Sequence, residues 1–282
     1  MDVNMLNREK LPKTIWFSWM QGLDNAPLVV QKCYESWIAH NPEWNVVFID
    51  ENNIHEYIPS QHGQVSRQVF SDIIRINLLA VYGGVWVDAT CFCVKALDSW
   101  IYDYMASGFF AFERPGFDRM LSSWFIACHK NNYITEAFQK AVNVYWEKNY
   151  KLAFVENSKW RMINRYQRLF STQLWFSNFA TKILKIYPYF WFHYLFERIY
   201  LSDRTVRKMW DMMPKISADI PHSLQLKGLF STLSDEIKEE ITSMASPCYK
   251  LTWKYDSSAF REGTVMSYLL KEKNMLSVEK RP

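Results

Sequence analysis

The chain has 282 residues, of which 49% are hydrophobic, 17% aromatic and 22% charged, with 8 Gly and a formal net charge of +4. Such apolar content excludes intrinsic disorder, and the lack of any repeat, Pro run or Gly period excludes fibrous and low-complexity classes. The length fits one domain, and the charge falls short of a dedicated nucleic-acid binder.

Residues 14–19 follow Pro12 and are rich in β-branched and aromatic types, which predicts an opening strand. Pro27 suits the first turn of a helix over 28–39, stopped by Asn41-Pro42. Residues 45–50 predict a second strand and 51–57 a short helix. Ser66 opens a stronger helix with a broad apolar face, and Gly83-Gly84 ends it through the left-handed geometry that Gly tolerates. Residues 85–88 then read as a short buried strand, continued by 91–94. Segments 109–113 and 123–128 predict two more strands, and 132–147 a helix. Residues 160–210 read as a helical block dense in aromatic and basic side chains. A loop-rich stretch containing Ile220-Pro221-His222 follows Pro214. Beyond it, 234–243 predicts a helix, 249–253 a strand or loop, and 263–273 a terminal helix. The alternation of strand and helix is the form of an α/β nucleotide-binding half, followed by a helical, aromatic-rich part. No linker interrupts the chain, so 1–282 is read as a single domain.

Five cysteines without a CxxC pair read as reduced core thiols of a cytosolic protein. The first ten residues are polar, so no secretory leader is expected. The longest uncharged run, 169–181, is too short for the roughly 20 residues of a bilayer span. The expected location is therefore the cytoplasm, with peripheral attachment to the inner face of the membrane as the other option.

Chemistry concentrates in two segments, Ser71-Asp-Ile-Ile-Arg75 and Tyr82-Gly-Gly-Val-Trp-Val-Asp-Ala-Thr90. Asp72 and Arg75 share a face of a largely apolar helix, where a charged pair is unfavourable unless something polar meets it. The Gly83-Gly84 pair allows close backbone approach to a ligand. A buried-type strand then delivers Asp88 at its C-terminal end, where ligands of open α/β sheets bind. One carboxylate there suits a divalent cation on a diphosphate, because such cations keep several waters. Each residue also has a plainer reading: Asp88 as a turn cap, Asp72–Arg75 as a surface ion pair, Trp19 as core.

These segments, with Pro12-Lys-Thr-Ile-Trp-Phe-Ser-Trp19, Asp24-Asn-Ala-Pro27, Cys33 to Trp37 and Ser122-Ser-Trp-Phe-Ile-Ala127, resemble DXD-type glycosyltransferases of the GT-A fold. The resemblance is to bacterial capsular polysaccharide synthesis proteins, related to glycosyltransferase family 32. It covers most of 11–130, with a fainter echo in Lys250-Leu-Thr-Trp-Lys254. It implies a Rossmann-like mixed sheet flanked by helices, with 11–130 as the nucleotide-sugar-binding half and 131–282 as a helical half facing acceptor or membrane.

The resemblance also implies roles. Trp19 would stack on the donor base, Asp72 and Arg75 would contact donor sugar and phosphate, and Gly83 and Gly84 would lie against the donor. Asp88 matches the first acid of the DXD motif, and Thr90 stands where the second acid is expected. The implied cofactor is Mn2+ or Mg2+, with Asp88, Thr90 and His222 as candidate ligands. Lys250 would grip the diphosphate and Trp253 would cover the sugar. Asp88, Asp72 and Arg75 are the candidate catalytic residues; His40, His55, His62, His129 and His193 receive no role.

Between Lys159 and Lys208 ten Lys or Arg face two acids, amid many aromatics. This block suits contact with anionic lipid; a helical subdomain with an aromatic core is its alternative. The expected reaction moves a hexose from a UDP-linked sugar to a hydroxyl of a growing bacterial surface polysaccharide, with retention. The acceptor is a glycan, free or lipid-linked, and nucleic acid is not an expected partner. The competing expectation is a catalytically inactive glycan- or lipid-binding protein at the membrane, favoured by Thr90 in the motif.

Overall fold

The computed structural model describes residues 10–58, 65–155, 171–255 and 260–271. Its centre is β1 (Thr14–Ser18), in which Ile15, Trp16 and Phe17 are all buried. A continuous apolar run suits a strand covered on both faces. After α1 (Leu28–His40), β2 (Asn45–Ile49) pairs with β1 in parallel. The short helix α2 (Ile54–Tyr57) begins three residues later than its sequence suggests.

Helix α3 (Arg67–Tyr82) starts where Ser66 Oγ accepts the Val69 N–H, the usual work of a Ser N-cap. Eight consecutive residues, Ile73 to Ala80, are buried, Arg75 and Asn77 among them. Gly83 ends the helix at φ +67° while its N–H donates to Leu79 O at 2.9 Å. The chain turns straight into β3 (Gly84–Asp88), parallel to β1 on its other side.

The expected continuation of β3 through 91–94 does not occur. Ala89-Thr90 turn the chain, and β4 (Cys91–Cys93) starts a separate small sheet. A longer hairpin than expected follows, β5 (Phe109–Gly116) and β6 (Arg119–Cys128). β6 joins β3 in antiparallel fashion, which gives a mixed five-stranded sheet in the order β2-β1-β3-β6-β5.

Helix α4 (Tyr133–Asn149), capped by Asn132, packs against α3. Of the block read over 160–210, residues 160–170 lie outside the described residues; the rest, beyond β7 (Ala153–Phe154), is not one helix. It holds a 3-10 turn over Thr172–Phe176, a π-helical turn over Phe179–Leu184, β8 (Ile186–Tyr187), α5 (Trp191–Ser202) and α6 (Arg204–Met212). Trp175, Tyr187, Trp191, Phe192, Tyr194 and Phe196 are buried, and Phe192 lies 4.4 Å ring to ring from Phe138 on α4. These aromatics are core, so they do not form the lipid-facing surface expected of the block. Among its described residues, Leu174, Phe179, Ile183, Tyr189 and Leu201 are exposed.

The stretch read as a loop around Pro221 is helical, as α7 (Asp219–Lys227). Pro221 fits because first-turn N–H groups have no intrahelical acceptor to lose. Then come α8 (Asp235–Thr242), β9 (Cys248–Lys250) and α9 (Val265–Leu269). β9 pairs with β4. All five cysteines are free and buried. Among the described residues, no helix is long and apolar enough to cross a membrane.

Candidate functional site

β3 links two different environments. At its start, a Cβ on Gly84 would fall 2.5 Å from Thr14 O, and one on Gly83 would fall 2.7 Å from the Lys130 N. Both glycines have positive φ, and the Trp16 indole donates to Gly83 O at 2.8 Å. Their neighbours are therefore backbone of the 14 and 130 segments. They lie a strand's length from Asp88, on the order of 13 Å for five residues. This corrects their expected place against the donor: the pair serves the turn and strand packing.

At the other end, Asp88 stands in register with Ser18, so Trp19 emerges beside it where the parallel strands finish. Trp86, two residues back on the same face of β3, donates its indole N–H to Asp88 Oδ1 at 3.0 Å. Arg75 comes from α3, with its side chain only 4% exposed. Its guanidinium bonds Asp72 through Nη1 and Asp88 Oδ1 through Nη2, the latter at 2.8 Å. It also lies over the rings of Trp86, at 5.1 Å, and Phe192, at 5.4 Å. A buried guanidinium is tolerated because two carboxylates and two aromatic faces surround it.

Lys250 completes the cluster from β9. The Leu251 N–H donates to Thr90 O at 2.7 Å, and Lys250 is paired with Cys91. That register sets Lys250 Nζ 2.5 Å from Thr90 Oγ1 and 3.4 Å from Asp88 Oδ2. Lys250 thus belongs to a strand, whereas Trp253 and Lys254 stand in the loop beyond it. Trp253 is 48% exposed and meets Trp19 edge to face, with centroids 6.0 Å apart. The two tryptophans form an aromatic wall beside the charges.

The two acids of the cluster ionise differently. Burial works against Asp88, but the charges of Arg75 and Lys250 and the Trp86 hydrogen bond outweigh it and hold the carboxyl at about 2. Burial raises Asp72 to about 6, with Arg75 pulling down and Asp88 pushing further up. With both acids ionised, two carboxylates balance two cations. The cluster can hold a diphosphate oxygen near Lys250 and steady negative charge that develops on it.

His222 is not part of this group. It sits on α7 with Nδ1 2.7 Å from Ala218 O and its ring edge-on to Trp124. Burial, and to a lesser degree the charge of Lys250, lower it. The divalent cation implied by the motif does not suit the donors present. Mn2+ and Mg2+ keep several waters and need few protein oxygens, but the motif oxygens are engaged: Asp88 Oδ1 already accepts two N–H groups. Asp88 Oδ2 and Thr90 Oγ1 both face an ammonium. No cluster of three or more His, Cys, Asp or Glu able to hold a metal occurs among the described residues. Of the expected ligand set, Asp88 and Thr90 meet at Lys250, while His222 bonds Ala218 O.

Several residues near the cluster were missed from sequence. Trp86 receives no role from the sequence, although its place two residues before Asp88 on one strand face is a usable signal. Phe192, Tyr189 and His193 come from the aromatic block, and no spacing pointed them toward Asp88. Partial burial, then the charges of Asp72 and Asp88, raise the Tyr189 hydroxyl. Burial, then Arg119 and Arg75, lower His193 to about 3, so its ring is neutral.

A family model described as capsular polysaccharide synthesis protein matches residues 1–155 and 155–269. The O-glycosyltransferase braB of Annulohypoxylon truncatum is 26% identical over 160 residues, covering 48% of this chain and 38% of that protein. The glycosyltransferase afumC of Aspergillus fumigatus is 24% identical over 159 residues, covering 48% and 41%. The match thus spans about two fifths of the length of these curated relatives. Among solved structures, PaToxG Glycosyltransferase is similar with a TM-score of 0.38 and 17% identity, over 87% of this chain and 89% of that one.

Proposed function

From the premise that this chain belongs to the capsular polysaccharide synthesis protein family, we propose that it is a glycosyltransferase of the GT-A type. It moves a hexose from a nucleotide sugar, UDP-linked, to a hydroxyl of a growing surface glycan. The observation that carries this reading is the Asp88–Arg75–Lys250 cluster at the ends of parallel β1 and β3, walled by Trp19 and Trp253. Ligands of open α/β sheets bind at such strand ends. The names of the fungal relatives support the same class of activity.

In this reading Trp19 stacks on the base, Trp253 covers the sugar and Lys250 meets the diphosphate. Asp88, held ionised by Arg75, orients Lys250; Asp72 neutralises Arg75 and faces the sugar. The bond from the anomeric carbon to the diphosphate oxygen breaks, and its electron pair stays on that oxygen. The acceptor oxygen forms the new bond from the same face of the ring, which retains configuration. The acceptor proton passes to the departing phosphate, so no side chain is assigned as base. Electrostatic stabilisation of the leaving group is the main catalytic demand.

The acceptor is a glycan, free or lipid-linked, met in the cytoplasm at the inner face of the membrane. Exposed Leu174, Phe179 and Ile183, beside Lys182 and Lys185, support peripheral contact there. The test is a panel of nucleotide sugars, assayed for release of the nucleoside diphosphate with and without Mn2+. Turnover of one donor that disappears in a folded Asp88→Asn variant is expected. No turnover of any donor under either condition overturns the reading.

A further inference from the structure

We propose that Lys250 takes the place of a divalent cation in this site, so that the donor diphosphate is bound and released without metal. This rests on the donor-site reading above. The first argument is position. Nζ spans Asp88 Oδ2 and Thr90 Oγ1, at 3.4 and 2.5 Å, which are the oxygens of the two motif positions. The β4–β9 register and the Leu251-to-Thr90 hydrogen bond set the lysine there from the backbone. Its side chain is 16% exposed, so the ammonium is largely withdrawn from solvent.

The second argument is charge balance. Two motif carboxylates with one dication sum to zero. One carboxylate, one hydroxyl and one ammonium also sum to zero. Thr90 in the second position and Lys250 facing it are therefore matched changes: each removes one unit of charge, of opposite sign. A dication added to the present set would meet Lys250 and Arg75, whose two charges already balance the carboxylates of Asp88 and Asp72.

The third argument is hydrogen-bonding capacity. A lysine ammonium has three N–H donors. Thr90 and Asp88 engage two among the described residues. The third remains for a phosphate oxygen, and a lysine serves phosphate well as a point charge. Arg75 does not compete for this role, since its side chain is buried and both of its Nη atoms are bound to Asp72 and Asp88. When the anomeric bond breaks, the electron pair goes to the diphosphate oxygen, and Lys250 stabilises the added charge without giving up its proton.

The experiment is titration calorimetry of the full chain with UDP, GDP, CDP and dTDP, in excess EDTA and in excess Mn2+. The expected result is that one nucleotide binds in EDTA with an affinity that Mn2+ changes by no more than about twofold. Lys250→Met, which keeps the stem and removes the charge, should weaken it by roughly tenfold or more, and Lys250→Arg should recover part of the loss. The double variant Thr90→Asp with Lys250→Met should need Mn2+ to bind. If the methionine variant does not fold, the wild-type comparison still decides. Binding that requires Mn2+ overturns this inference and leaves the donor site standing. So does metal-free binding that Lys250→Met leaves intact, for it removes the lysine's role alone. No binding of any nucleotide under either condition overturns both this inference and the donor-site reading.

Discussion

At one end of β3, Gly83 and Gly84 press against the backbone of neighbouring segments; at the other, Asp88 stands among Arg75, Trp86 and Lys250. Both ends belong to one nine-residue stretch, Tyr82 to Thr90, yet they are governed by different forces. The first half is steric, with positive φ and no room for a Cβ. The second half is electrostatic, a balanced set of charges around Asp88. A recognisable motif can therefore join a packing requirement to a chemical one. Substitutions at its two ends should fail in different ways.

The largest effect is expected at the steric end. Gly84→Val should lose more than about 3 kcal/mol, since it combines a strained left-handed φ with a clash against Thr14 O. Soluble expression and thermal unfolding check this; a variant that melts with the wild type would erase the contrast. Next comes the charged end, where Asp88→Asn should keep the fold but lower sugar transfer by about 10²- to 10³-fold. Steady-state kinetics beside circular dichroism separates loss of chemistry from loss of structure.

A third effect depends on pH. The native carboxyl of Asp72 lies near 6, above its unfolded value, so between those two values the native state holds more protons than the unfolded one. Asp72 therefore lowers stability as pH rises through that window, and its full penalty is present above about 6. Asp88, held near 2, contributes in the opposite sense: its stabilisation is present above the unfolded value and fades as pH falls toward 2. Urea midpoints of wild type and Asp72→Asn from pH 4 to 7 should shift in favour of the variant by on the order of 1–3 kcal/mol. A pH-independent difference would break the assignment.

The smallest expected effect is at the aromatic wall. Trp253→Ala should change stability by less than about 0.5 kcal/mol, because the side chain is half exposed. Trp19→Ala should weaken nucleotide binding by roughly fivefold to tenfold, as loss of one stacking face does. Calorimetry of both variants, singly and together, tests whether the two rings act as one surface; unchanged affinity in Trp19→Ala removes it from the site.

What was legible in sequence was local. The Ser66 cap, the apolar face of α3, the Gly–Gly stop and the run of Val and Trp before Asp88 all act within a few residues. They made the α/β order and the pair Asp72–Arg75 readable. The role of Trp86 is equally local, but the ring is also buried in the core, so composition does not set it apart. The resemblance points to Lys250, but its pairing with the Thr90 turn depends on a strand contact 160 residues away. No periodicity encodes such a contact. The aromatic block was hard to read for a related reason: Trp175, Trp191, Phe192, Tyr194 and Phe196 are buried while Phe179 and Tyr189 are exposed, and composition does not tell the two apart. His222 was placed in a loop because Pro221 precedes it, although proline is compatible with a helix's first turn.

The β4–β9 pairing has a consequence in time. Asp88, Arg75 and Trp86 leave the ribosome long before Lys250 does, so the nascent chain carries an acidic strand end with nothing opposite Thr90. Closing that contact is a high-separation event, and such events come late and slowly. The first half of the molecule can thus acquire its sheet before the charged cluster is complete. β9 therefore completes the charged cluster only once folding has reached residue 250.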